Sequence, residues 1–258
     1  MTPGGAAAAL VALDDLTRRL RLECPWDREQ DERSIVPHTV EEAYELADAA
    51  GRGDDAKLLD ELGDVLFQVH FLALLLEERG AGSLAEVAEH CRRKLIRRHP
   101  HVFGEVEVQG ATEVLRNWDR IKETEAGRER GLFAEVPENL PGPLYARKVQ
   151  RRAASSGFDV EGVEAPLDAV EGELAELREA SGDRDAAFTA VGDLIFAAVN
   201  AARKLRVDPE LALRASSERF RSRVEAAAAL AARAGREWKD LRPEEQLGYY
   251  AQARLGDE

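Results

Sequence analysis

Glu42 and Glu45 stand three residues apart, and Glu61 and Asp64 repeat the spacing further along the chain. Positions three apart share one face of an α-helix, so each pair presents two carboxylates side by side. Glu41 adjoins the first pair, and no Lys or Arg interleaves these acids within Val40–Asp48 or Leu59–Phe67. Like charges one turn apart repel by roughly 0.2–0.5 kcal/mol per pair. Two such helices packed antiparallel focus four carboxylates on one point and strain the fold unless a cation neutralises them. Hard divalent ions with oxygen ligands, Mg²⁺ or Mn²⁺, fit that description. A carboxylate-bridged di-iron centre needs Glu-x-x-His on its ligand helices. None of His38, His70, His90, His99 or His101 has a Glu three residues before it. The plain alternative to a metal site is an acidic, solvated surface.

A basic group complements the acidic one. Lys94, Arg97, Arg98 and His99 gather at a helix end that Pro100 terminates. Cations there complement the negative end of the helix dipole, but they also suit phosphate. Trp118 and Lys122 lie four apart on one face. An indole beside an ammonium suits a nucleobase above a triphosphate, although a core Trp gives the same pattern. With these parts, Mg²⁺ on phosphate oxygens would draw charge from them and assist hydrolysis. Glu41 or Glu45 would orient the attacking water as general base. Spacing alone leaves open which carboxylate is the base and how many ions bind.

Helices must position these groups. Apolar residues make up 44% of the 258-residue chain and charged residues 33%, with Ala, Leu, Glu and Arg dominant, which favours an all-α fold. The periodicity predicts helices over Leu10–Leu22, Thr39–Ala50, Ala56–Arg79, Leu84–Arg98 and Thr112–Ala126. A second set is predicted over Leu144–Ser155, Pro166–Ala180, Ala186–Arg206, Pro209–Ala234 and Pro243–Leu255. Pro25 and Pro37 are expected to bound a polar loop, and Gly51-Arg-Gly-Asp-Asp to separate the two acidic helices. The organisation that follows is a domain over 1–130, a linker over 131–143 rich in Gly and Pro, and a second domain over 144–258.

The two sets read as copies. Val40-Glu-Glu-Ala-Tyr-Glu-Leu answers to Glu171-Gly-Glu-Leu-Ala-Glu-Leu, and Leu62-Gly-Asp-Val-Leu-Phe to Val191-Gly-Asp-Leu-Ile-Phe. Trp26-Asp27 pairs with Phe158-Asp159, Lys94 and Arg98 with Arg219 and Arg223, and Trp118 and Lys122 with Tyr250 and Arg254. The second copy is eroded: Gly172 stands for the first Glu, and Ala190 for the Glu of Glu-x-x-Asp. Glu173, Glu176 and Asp193 remain as a residual site, with Arg219, Arg223, Tyr250 and Arg254 around it. Glu171 lies one position early, about 100° round the helix, and cannot substitute.

A net charge of −14 argues against a partner that is a nucleic-acid polymer. No apolar run approaches the ~20 residues of a membrane span, and the N-terminal Ala-rich run lacks the basic start of a signal peptide. A soluble cytoplasmic protein without a membrane partner is therefore expected, its Cys24 and Cys91 reduced. The run Val65–Leu76 is apolar almost all round. Such a helix needs partners on several sides, which predicts a homo-oligomer, a dimer first.

Glu-Glu-x-x-Glu followed by Glu-x-x-Asp resembles the signature of the all-α nucleoside triphosphate pyrophosphohydrolases. Cys24-Pro-Trp-Asp, Glu29-Gln30, Gly63-Asp-Val-Leu-Phe-Gln and Arg97-Arg-His-Pro-His-Val-Phe are similar to the MazG family in particular. The resemblance extends from about Leu10 through both halves. It implies two tandem MazG-like helical bundles, with a four-helix-bundle type core formed on dimerisation. It further implies Mg²⁺-dependent hydrolysis of nucleoside triphosphates, common and unusual, to monophosphate and pyrophosphate, as in nucleotide-pool house-cleaning. By this resemblance Glu42, Glu45, Glu61 and Asp64 would be metal ligands, and Glu41 would position or activate water. Lys94, Arg97, Arg98, Trp118, Lys122 and Trp26 would face the nucleotide. The N-terminal half is read as catalytic and the C-terminal half as a weakened site. A noncatalytic nucleotide-sensing or partner-binding module is the alternative, motivated by the eroded copy and opposed by the intact first cluster.

Overall fold

The computed structural model describes residues 3–256 apart from 111–112, 115–116, 119–120, 122–130 and 135. Among the described residues every regular element is helical. The chain divides into two compact units, Met1–Ala126 and Gly127–Glu258.

The first unit holds α1 (Pro3–Glu23), α2 (Pro25–Glu29), α3 (Glu32–Arg52), α4 (Asp55–Glu78), α5 (Leu84–Arg98) and α6 (Pro100–Phe103). The expected loop between Pro25 and Pro37 is largely helix. Pro25 starts α2 at a position whose N–H would be unpaired anyway. At α3, Asp31 accepts from the Ser34 N–H while Ser34 Oγ accepts from the Asp31 N–H, a reciprocal cap that starts the helix before Thr39. Pro37 sits inside α3, where it removes one helical hydrogen bond without ending the helix. Gly53 closes α3 at φ 69°, a left-handed conformation that glycine adopts without strain. Asp54 then caps α4 by accepting from the Ala56 and Lys57 N–H groups.

Helices α3 and α4 pack along each other, and α4 also meets α1 and α5. Ile35 of α3 is buried with Phe71 and Leu75 of α4, and Phe67 and Leu72 pack on them. Burying a side chain such as Phe71 contributes roughly 1.5–3 kcal/mol. Polar clasps hold α1 to α4: Arg18 binds Glu77 through both terminal nitrogens, and Arg21 binds Glu78 while its guanidinium lies 5.8 Å over the Phe71 ring. The Leu59, Leu62, Leu66 and Val69 side chains form one exposed stripe down α4.

The second unit holds α7 (Gly142–Ser155), α8 (Glu164–Glu179), α9 (Arg184–Lys204), α10 (Pro209–Arg233) and α11 (Pro243–Leu255). Helix α9 packs on α8 and α7, and α10 on α11. Most of its buried positions are small, Ala190, Ala197 and Ala201 on α9 and Ala227 and Ala231 on α10, joined by Val199 and Leu241. Asp183 caps α9 by accepting from the Asp185 and Ala186 N–H groups, as Asp54 caps α4. Arg203 and Lys204 pair with Asp159 at 2.7 and 2.8 Å. Burial pushes the Asp159 carboxyl up, but those cations outweigh it and hold it at about 2. By length and composition α9 could cross a membrane, at a mean hydropathy of 1.3, although the sequence suggested no such stretch. Asp193 interrupts its apolar run.

Candidate active site

The packing of α3 against α4 sets Glu42 and Glu45 of one helix facing Glu61 of the other. One carboxylate oxygen from each lies within 4.8 Å of the other two. Among the described residues no other three His, Cys, Asp or Glu side chains gather so closely. Glu61 is 1% exposed, Glu42 half-buried and Glu45 exposed, so the cluster opens from a buried acid towards solvent. Burial first, then the charges of Asp64, Glu45 and Glu61, pushes the Glu42 carboxyl above the ordinary range. Asp64 is thus near enough to act on Glu42, although it is exposed and stands outside the tight trio.

Among the described residues a cation, Lys57, faces this group. Lys57, one turn before Glu61 on α4, sets its ammonium against Glu61 Oε1 and reaches Asp60 at 3.4 Å and Glu45 at 4.0 Å. Even so, neither Glu61 oxygen receives a hydrogen bond of ordinary geometry. A buried carboxylate left so is costly, and converging carboxylate oxygens are the donor set that Mg²⁺ and Mn²⁺ take. The residues present therefore fit a hard divalent ion. Lys57 lies outside the two acidic segments, which hold no Lys or Arg, yet it brings a cation to the cluster. Its position four residues before Glu61 was the signal for it.

Glu41 is exposed and stands outside the tight trio, and its Oε2 lies 3.3 Å from His38 Nδ1. The His38 ring meets Trp26 edge to face at 5.9 Å, which brings the exposed Trp26 beside the start of the acidic segment. In the sequence His38 counted only among the histidines without a Glu three residues before them, since a His three residues before a Glu carries no signal of its own.

At the end of α5, Lys94 is half-buried, Arg97 exposed and Arg98 buried. His99 caps the helix, its Nδ1 2.6 Å from the Leu95 carbonyl. The Trp118 ring lies 6.1 Å from that of His99, so the indole stands next to the basic helix end. Lys122 lies outside the described residues.

In the second unit Glu173 is half-buried on α8, and Glu176 and Asp193 are exposed. The place of Glu61 is taken by Ala190, also buried, and the place of Lys57 by Ala186. Arg219 is exposed and Arg223 half-buried on α10. Tyr250 of α11 meets Phe220 of α10 at 5.8 Å, and Arg254 is exposed one turn on.

Residues 30–103 match the MazG nucleotide pyrophosphohydrolase domain, a span that contains the whole carboxylate trio and the basic end of α5. The chain is 38% identical over 236 residues to the nucleoside triphosphate pyrophosphohydrolase/pyrophosphatase MazG of Thermotoga maritima, covering 91% of each. It is 39% identical over 206 residues to the nucleoside triphosphate pyrophosphohydrolase of Escherichia coli K12, covering 78% of each.

Proposed function

This chain belongs to the MazG family, and from that premise we propose that it hydrolyses nucleoside triphosphates to nucleoside monophosphates and pyrophosphate with Mg²⁺, or Mn²⁺, as cofactor. The observation that carries the reading is the convergence of Glu42, Glu45 and Glu61 oxygens within 4.8 Å around a buried acid.

Glu42, Glu45 and Glu61 would hold the ion, with Asp64 completing the set from the next turn of α4. An ion held there would draw charge from the phosphate oxygens and ease departure of pyrophosphate. Glu41 or Glu45 orients a water towards the α-phosphorus and takes its proton as the P–O bond to pyrophosphate breaks. Lys94, Arg97 and Arg98 hold phosphate oxygens as charge-assisted donors. Trp118 offers a face for the base, and Trp26 would meet the nucleotide near Glu41. We place the enzyme in the cytoplasm, where its substrates are, acting on no nucleic-acid polymer.

The active form in this proposal is a homodimer. The unpartnered stripe Leu59, Leu62, Leu66 and Val69 recurs on α9 as Phe188, Val191 and Ile195, all exposed. Apolar rows of that length on two helices are covered by a second copy of the chain. Light scattering at micromolar concentration should give twice the chain mass, and a monomer mass would contradict it.

Incubation with individual nucleoside triphosphates and Mg²⁺, followed by product resolution, tests the activity. Monophosphate plus pyrophosphate supports the proposal. Diphosphate plus phosphate, or no turnover with any base, sinks it.

A further inference from the structure

Lys57 and Glu61 form a lopsided pair. The acid is 1% exposed, whereas the lysine side chain is 50% exposed on the first turns of α4. The buried end of the pair is therefore fixed, and the cationic end sits on a flexible stem at the surface. The oxygens that Lys57 approaches, those of Glu61 and Glu45, belong to the trio that converges within 4.8 Å. An ammonium and a divalent cation are competitors for that oxygen set, since each repels the other.

We propose that Lys57 is a built-in counter-ion: it neutralises Glu61 in the metal-free protein, is displaced when the divalent ion binds, and so sets the metal affinity. This rests on the metal site of the preceding section. Leaving costs Lys57 little, because it is already half in solvent and keeps Asp60, at 3.4 Å, as a partner. The second unit supplies independent support. At the places of Lys57 and Glu61 it carries Ala186 and Ala190, so the cation is missing where the buried acid is missing. The register of that comparison is fixed by the caps Asp54 and Asp183 and by Gly63-Asp64 against Gly192-Asp193.

The test uses the full chain and Lys57→Met, which keeps the stem and removes the charge, with Mn²⁺ as probe. Free Mn²⁺ counted by electron paramagnetic resonance should show the variant binding about tenfold more tightly than wild type, on the scale of ~1.4 kcal/mol. In chelator the variant should melt below wild type, and saturating Mn²⁺ should erase the difference. Lys57→Arg, which keeps the charge, should bind within about threefold of wild type. If wild type binds Mn²⁺ and Lys57→Met binds it equally or more weakly, the counter-ion role is overturned while the metal site stands. A melting deficit that persists at saturating Mn²⁺ marks Lys57 as merely structural and overturns it too. If neither protein binds Mn²⁺, the metal reading itself fails and takes the inference with it.

Discussion

Glu61 and Ala190 occupy matching places on α4 and α9, and both are buried, at 1% and 6% exposure. One position inside a helix pair thus holds a carboxyl group in the first unit and a methyl group in the second. Burying the acid demands compensation, and the first unit provides Lys57 on one side and an opening towards Glu42 and Glu45 on the other. The second unit has neither the acid nor the lysine, and buries Ala190, Ala197, Val199 and Ala201 on α9 instead. Its charges went elsewhere: Arg203 and Lys204, at the places of Leu74 and Leu75, clasp Asp159. The difference teaches that a buried carboxylate is a commitment to a cation, and that a fold relieved of it turns to simple packing.

The sharpest way to break the comparison is to force the acid into the second unit. Ala190→Glu places a buried carboxylate with Ala186 where a lysine is needed, and should destabilise the protein by about 3–5 kcal/mol, the cost of an uncompensated buried charge. Denaturant unfolding reads this. Ala186→Lys combined with Ala190→Glu should recover part of the loss, and no recovery would detach the lysine from the acid.

A smaller effect separates the basic positions. Lys94→Ala removes one charge-assisted contact to phosphate and should raise KM about tenfold, with kcat less affected. Arg219→Ala, at the matching place on α10, should leave both within about twofold if the second unit takes no part in substrate binding. Steady-state kinetics distinguishes the two, and equal effects would mean that both units meet nucleotide.

The smallest expected effect lies in the Asp159 clasp. Its folded carboxyl is held at about 2, below the ordinary value, so its stabilisation is present above about pH 4 and lost as pH falls through about 2. Asp159→Asn should therefore cost up to about 1 kcal/mol near pH 7, after allowance for solvent screening of a partly exposed cluster, and little once the pH is below about 2. Thermal melts across that range check the sign.

Much of this was legible in the sequence. The apolar periodicity marks α4, α5, α9 and α10 because long amphipathic or apolar stretches leave few alternatives. The start of α3 was harder to read. Pro37 looked like a boundary, yet the Asp31–Ser34 cap begins the helix ahead of it. Glu42 with Glu45, and Glu61 with Asp64, were visible as pairs because spacing alone puts acids on one helix face. Burial was not visible, and it separates the ordinary acid from the costly one. That Glu61 is the buried member, that Lys57 answers it, and that Asp64 stands outside the tight trio all depend on how α3 and α4 meet.

The central claim is that the working centre lies in the first unit alone. Turnover of a nucleoside triphosphate by Glu61→Ala and by Asp193→Ala, each checked for folding by circular dichroism, tests it most directly. The matching position holds Ala190 without loss of the helix, so Glu61→Ala should remain folded. It should lose at least about 100-fold in kcat, the scale of removing one key group from a charge-stabilising centre. Asp193→Ala should stay within a few-fold of wild type, because its site already lacks the buried acid. A dead Asp193→Ala beside a normally active Glu61→Ala would contradict the account and move the active centre to the second unit.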